Sequence, residues 1–182
     1  MRWLRLLLLL LLVPLAGCAV NRAIYPIDTA GPYRLNTGDV LRITVYGDPS
    51  LTTTYNVDDS GAVAFPLVGS VQVAGITTDE AAARLSAALA RGYMRNPNVA
   101  VEVAEYRPFF IQGEVTNSGK FPYVYGMTVR AAVSTAGGFK DTADRSGVTI
   151  YRREGDQMMK SPVNLDFPIQ PGDTIVVGER WF

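Results

Sequence analysis

Any covalent chemistry in this sequence would rest on carboxylates, one thiol and a few glycine-rich turns. The 182 residues contain no histidine and a single cysteine. That removes Ser-His-Asp triads, Cys-His dyads, His-ligated zinc and haem, and any cysteine cluster for zinc or iron–sulfur. Glycan cleavage would need two carboxylates in one cleft, about 5–10 Å apart. Asp39, Asp58, Asp79 and Asp173 are the candidates, and each has a local reason for its position. Asp39 and Asp173 complete Gly-Asp turns, and Asp79 stands at a helix start. Asp58-Asp59 lies in a solvated turn, its neighbours point apart, and its spacing lacks the pattern of a calcium loop. The run from Gly113 to Gly119-Lys120 has one residue too many for a phosphate-binding loop, and Phe121 follows the lysine. No catalytic set, metal site or cofactor is expected.

The elements that must carry these turns are short and mixed. Leu41, Ile43 and Val45 alternate with polar neighbours as a half-buried strand over 40–46. Runs at 55–57 and 62–65 flank Asp58–Gly61 and read as a hairpin. Extended pieces follow at 65–67 and 71–73. Thr77 and Glu80 stand three apart as a capping box, opening a helix over 78–91 with Ala81, Leu85, Ala88 and Leu89 on one face. Val99, Val101 and Val103 alternate in a further strand after Asn96-Pro97. Beyond Pro108, strands at 109–115 and 121–125 form a hairpin turning at Asn117-Ser118-Gly119. Thr128 caps a helix bearing Val129, Ala132, Val133 and Ala136, which ends at Gly137-Gly138. A strand at 148–151, a polar loop at 152–160, a strand at 163–165 and a last strand at 174–177 complete the chain. The fold class expected is α+β, in two small domains joined near residues 106–108.

The cysteine is explained by what precedes it. Arg2 and Arg5, an unbroken leucine run from 6 to 12, and Leu15-Ala16-Gly17-Cys18 resemble a bacterial lipoprotein signal. In such a signal the Cys18 thiol takes a diacylglycerol, residues 1–17 are cut off, and the new amine is acylated, commonly with palmitate. The apolar stretch is shorter than the roughly 20 residues of a spanning helix and is broken by Pro14. Cys18 is therefore the expected lipid-attachment site, residues 18–32 a lipidated tether, and Ala19 after it favours the outer membrane. Lys+Arg 17 against Asp+Glu 17 gives no electrostatic reason to propose nucleic acid as a partner.

Taken in order, these segments resemble a family. Tyr33-Arg-Leu-x-x-Gly-Asp-Val-Leu-Arg-Ile-x-Val-Tyr-Gly47, the passage from Gly61 to Gly75 and the Thr-Asp-Glu-Ala helix are similar to the bacterial polysaccharide export domain. Gly113-Glu-Val-x-x-x-Gly119, Ala136-Gly-Gly-Phe139 and Pro171-Gly-Asp-Thr-Ile-Val-Val177 resemble the soluble-ligand-binding β-grasp module, SLBB, that follows it. The resemblance implies a polysaccharide export domain over 33–106 and an SLBB domain over 107–182, closed by strand 174–177. It implies a non-enzymatic, lipid-anchored lipoprotein of the cell outer membrane, facing the periplasm. Such a protein would form a homo-oligomeric ring that guides capsular or exopolysaccharide polymer, with an inner-membrane polysaccharide copolymerase as partner. Longer members add a second β-grasp module and a C-terminal amphipathic helix, so the expectation here is a short form without that membrane helix, which works with a separate outer-membrane β-barrel or serves only the periplasmic segment of the path. The rival expectation is a lipid-anchored glycan-binding module that forms no conduit, with Tyr123, Tyr125 and Phe139 as candidate stacking residues.

Overall fold

The computed structural model describes residues 31–155 and 157–180. The signal, Cys18 and most of the tether lie outside the described residues. Strand β1 (Val40–Val45) is the centre of an antiparallel sheet with β2 (Thr53–Asn56) on one side and β5 (Val99–Glu105) on the other. The alternation read in β1 fixes its faces: Leu41, Ile43 and Val45 are buried while Arg42 is exposed. Helix α1 (Thr78–Leu89) starts at the expected capping box, with Glu80 donating its amide to Thr77 Oγ1 (3.2 Å) and Glu80 Oε2 accepting from the Thr77 amide (2.8 Å). It ends two residues sooner than its periodicity suggests and buries Ala81, Leu85 and Leu89.

The expected hairpin around Asp58–Gly61 is corrected. The turn exists, since the Ala62 amide donates to Asp58 Oδ1 (2.9 Å), but β2 spends its ladder on β1. Strand β3 (Ala62–Phe65) pairs forward with β4 (Gly69–Gln72) as a separate two-stranded ribbon. Both sides of the turn thus have partners elsewhere, a choice local turn chemistry cannot reveal.

The second lobe is a five-stranded sheet in the order β7-β6-β10-β8-β9. Its members are β6 (Phe109–Gly113), β7 (Gly119–Phe121), β8 (Val148–Glu154), β9 (Gln157–Val163) and β10 (Thr174–Val177). The last strand is central, parallel to β6 and antiparallel to β8. Helix α2 (Val129–Thr135) is capped by Thr128 and buries Val129, Ala132 and Val133 against the sheet's inner face. Three expectations are corrected. Residues 152–160 are not a loop, because β8 and β9 continue as a tight hairpin to the pair Glu154 and Gln157. The segment 121–125 is strand only to Phe121, where Pro122 lacks the N–H a ladder needs. Gly119, expected in the turn, instead opens β7 opposite Ile111. At Gly113 the backbone passes so close to β10 that an added Cβ would fall 2.1 Å from the Val177 carbonyl oxygen.

Two hydrophobic clusters result. One gathers Leu35, Leu41, Ile43, Phe65, Leu85 and Leu89, and the other Phe109, Ile111, Val133, Ile150, Ile169 and Ile175.

Candidate functional site at the joint between the lobes

The same four-residue turn occurs once in each lobe. Asn36-Thr37-Gly38-Asp39 leads into β1, and Gln170-Pro171-Gly172-Asp173 leads into β10. In both, the aspartate amide donates to the carbonyl three residues back at 3.1 Å, and the glycine takes φ near +90° (+90° at Gly38, +86° at Gly172). Asp39 Oδ2 accepts the Asn36 amide at 2.8 Å, and Asp173 Oδ2 accepts the Gln170 amide at 2.7 Å. The turn therefore draws each carboxylate inward, and both aspartates are fully buried. A buried carboxylate needs a cationic or hydrogen-bonding partner. Each finds an arginine.

Arg152 meets Asp173 through two parallel bonds, Nε to Oδ1 at 2.8 Å and Nη2 to Oδ2 at 2.7 Å. This fork geometry is the strong form of the Arg–carboxylate pair. Arg152 Nη1 is also buried and has no hydrogen-bond partner among the described residues, while the guanidinium carbon lies 6.0 Å from the Phe167 ring centre. Arg107 serves Asp39 differently. Its backbone amide donates to Oδ1 at 3.1 Å and its Nη1 stands 3.5 Å from Oδ2. The Tyr33 hydroxyl completes the triangle, donating to Asp39 Oδ2 at 2.6 Å and accepting from Arg107 Nη1 at 2.8 Å. Burial pushes the Tyr33 hydroxyl well above its ordinary pKa, and the neighbouring Arg107 cation only partly opposes that.

Arg107 reaches both turns. Its Cβ lies against Gly38, and an added Cβ on Gly172 would come within 2.8 Å of its Nε. The Gly172 amide donates to the Pro108 carbonyl at 3.0 Å, so the second turn is tied to the segment joining the lobes. Tyr33, Tyr106 and Tyr123 run edge to face beside it, with ring centres 5.0 and 5.4 Å apart. Between the lobes this leaves an open cleft of about 550 Å³, lined among others by Tyr33, Arg107, Tyr123, Tyr125, Arg153 and Gln170.

Of the residues singled out from sequence, Asp39 and Asp173 are brought to this joint, and both are held in structural pairs. Asp58 is an exposed turn residue whose carboxyl is held below the usual range by the Ser60 hydroxyl and backbone amides. Asp79 is exposed in the first turn of α1. Tyr123 is half-buried and Tyr125 is 73% exposed, both lining the cleft, whereas Phe139 packs against the second core. Among the described residues no group of three Cys, His, Asp or Glu side chains gathers as cation ligands. Tyr33, Arg107 and Arg152 escaped the sequence reading. One signal was available: the alternation of Val148 and Ile150 already puts Arg152 on the buried face of its strand.

Comparison with known proteins agrees with this two-lobed arrangement. Residues 28–104 match the family described as polysaccharide biosynthesis/export protein, and residues 108–169 match the SLBB domain. An exopolysaccharide production protein, ExoF, of Rhizobium meliloti is 33% identical over 61% of this chain and 29% of its own length. The EPS I polysaccharide export outer membrane protein EpsA of Ralstonia solanacearum is 29% identical over 82% of this chain and 46% of its own. The polysialic acid transport protein KpsD of Escherichia coli is 30% identical over 81% of this chain and 28% of its own. The chain thus spans less than half the length of these relatives. With an export-protein match and an SLBB match in succession, and relatives aligned across both, the chain belongs to the polysaccharide biosynthesis/export family.

Proposed function

We propose that this protein is a lipid-anchored component of a capsular or exopolysaccharide export system, held at the cell outer membrane and facing the periplasm. Copies assemble into a ring whose lumen guides the polymer, and the ring meets an inner-membrane copolymerase. The chain does no covalent chemistry on sugar. One observation carries this reading: an export domain and an SLBB domain follow one another in a single chain, and their junction is braced by Arg107, which bonds the buried Asp39 and packs against Gly172 of the second turn. A brace of this kind lets two small lobes act as one rigid block, which a ring subunit requires. The names of the Ralstonia and Escherichia relatives, export and transport proteins, support the same role. Cys18 supplies the anchor, since acyl chains contribute about 0.8 kcal/mol per buried methylene and more than one chain holds stably.

Replacing Cys18 by Ser tests the reading. The variant is expected to leave the membrane fraction or stay unprocessed, and polymer export should stop. Normal fractionation and normal export would overturn it. The cleft with its exposed Tyr125 favours a second reading, a glycan-binding module without a conduit. Native mass spectrometry of the detergent-solubilised lipoprotein separates the two, because the conduit requires a closed oligomer and the binder only a monomer.

A further inference from the structure

One face of the five-stranded sheet packs on α2, and the other is covered by no described element. Its composition follows from the register. Lys120 stands opposite Phe110, Phe110 beside Thr174, Thr174 opposite Tyr151, and Tyr151 opposite Lys160. These five side chains form one row across all five strands. The next row holds Gln112, Val176, Thr149 and Pro162, and Arg153 with Met158 extends the face towards the cleft that Arg153 also lines. None of these open-face positions is Asp or Glu; Glu154, exposed at the end of β8, alternates with Arg153 onto the opposite face. Phe110 is 44% exposed, and Lys160 Nζ lies 5.6 Å from the Tyr151 ring centre.

Some surface cations elsewhere are neutralised locally, Arg34, Arg130 and Lys140 each by a carboxylate, whereas Arg42, Arg91, Arg95 and Arg145 are exposed without a carboxylate pair among the described residues. Lys120, Arg153 and Lys160 likewise have no such pair among the described residues, although the chain as a whole is balanced in charge. Lys120 and Lys160 are separated by four strand spacings, about 19 Å, with the two aromatic rings between them.

Resting on the export reading, we propose that this sheet face docks an acidic polysaccharide, a polymer of carboxylate-bearing sugars lying across the strands. The apolar faces of its sugar rings meet Phe110 and Tyr151, and its carboxylates meet Lys120, Lys160 and Arg153. Aromatic surface gives area without a sequence requirement, and charge-assisted hydrogen bonds select the anion.

The test uses the purified full-length lipoprotein in detergent, with polygalacturonate as the acidic probe and dextran of similar length as the neutral one. Binding to polygalacturonate is expected, weakening as salt rises. The K120Q/R153Q/K160Q variant is expected to lose about tenfold in affinity, and Phe110→Ala several-fold. Thermal melting checks that the variants fold; should the triple variant melt early, K120Q and K160Q alone carry the test, each with a smaller loss. Equal binding of dextran, or unchanged binding by the charge variants, overturns the proposal. So does a change in oligomeric state by native mass spectrometry with polymer affinity intact, which would make the face a contact between copies. Cells carrying the triple variant that export an acidic polymer normally would also overturn it and leave the export reading standing, whereas normal export with Cys18→Ser overturns that reading alone.

Discussion

Asp39 and Asp173 occupy equivalent turns, yet their neighbours give them different weight. Arg152 beside Asp173 is 5% exposed, whereas Arg107 beside Asp39 is 22% exposed and shares its load with Tyr33. Removing one partner of a fully buried pair strands the other charge, which costs about 3–5 kcal/mol. Asp173→Asn is therefore expected to lower stability by that amount in chemical denaturation. Asp39→Asn should cost clearly less, because water reaches Arg107. Replacing Arg152 and Asp173 together by leucine and asparagine should recover part of the loss. Tyr33 gives this corner a pH dependence. Its folded pKa is raised by burial above the ordinary 10.0, so the hydroxyl stays neutral in the fold after it would ionise in the unfolded chain. The unfolded state then releases its proton first, and stability falls as pH rises beyond the ordinary value. Tyr55, Tyr106 and Tyr123 are shifted the same way by burial. Melts between about pH 9 and 12 should show a decline that Tyr33→Phe makes shallower.

Elements with their own local signals were legible, and those that depend on partners were not. The capping box at Thr77 and Glu80, the alternation of β1 and the apolar stripe of α2 are all written within a few residues, and each element starts where it was expected. The β8–β9 hairpin was hidden because its far half carries Arg152, Arg153, Glu154 and Lys160, residues that read as solvated loop. A sheet open on one face tolerates them, and Asp173 neutralises the one that points inward. The pairing of β3 with β4 was hidden because both sides of the Asp58 turn looked equally extended. For the site, Asp39 and Asp173 were visible as turn formers, but the arginines that use them lie 68 and 21 residues away in sequence. Two substitutions weigh local against tertiary determinants. Thr77→Ala removes a cap worth about 1 kcal/mol and should weaken α1 by that much. Gly113→Ala sets a methyl against the Val177 carbonyl at a positive φ, and should loosen the parallel pairing of β6 with β10. Amide exchange in β10 should rise, while exchange in β1 stays unchanged.

At the scale of the whole molecule, the question is what makes two lobes with separate cores move as one. The two clusters are built from different segments, so each lobe carries its own hydrophobic stabilisation. Among the described residues the joint holds polar contacts, Arg107 to Asp39 and Tyr33 and the Gly172 amide to the Pro108 carbonyl of the joining segment, beside the edge-to-face tyrosines. Contacts of this kind fix orientation more than they add stability, because each exchanges a bond to water for a bond within the protein. Arg107→Ala is therefore expected to change geometry before it changes folding. The Arg107 backbone amide still reaches Asp39 and its Cβ still meets Gly38, so the first turn survives, but the guanidinium no longer packs against Gly172. Hydrogen exchange should accelerate at Gly172, whose amide holds the second turn to the joining segment beside Arg107, with strands β1 and β6 still protected. Small-angle scattering should show a broader distribution of inter-lobe distances at an unchanged secondary-structure content. If the ring reading is correct, assembly suffers as well, since a subunit with a loose joint must give up that freedom at each contact it closes. Native mass spectrometry of the variant should then show smaller or incomplete oligomers. Unchanged exchange at Gly172 together with full-sized oligomers would mean that the aromatic contacts or the chain connection itself sets the angle, and that Arg107 is only filling space.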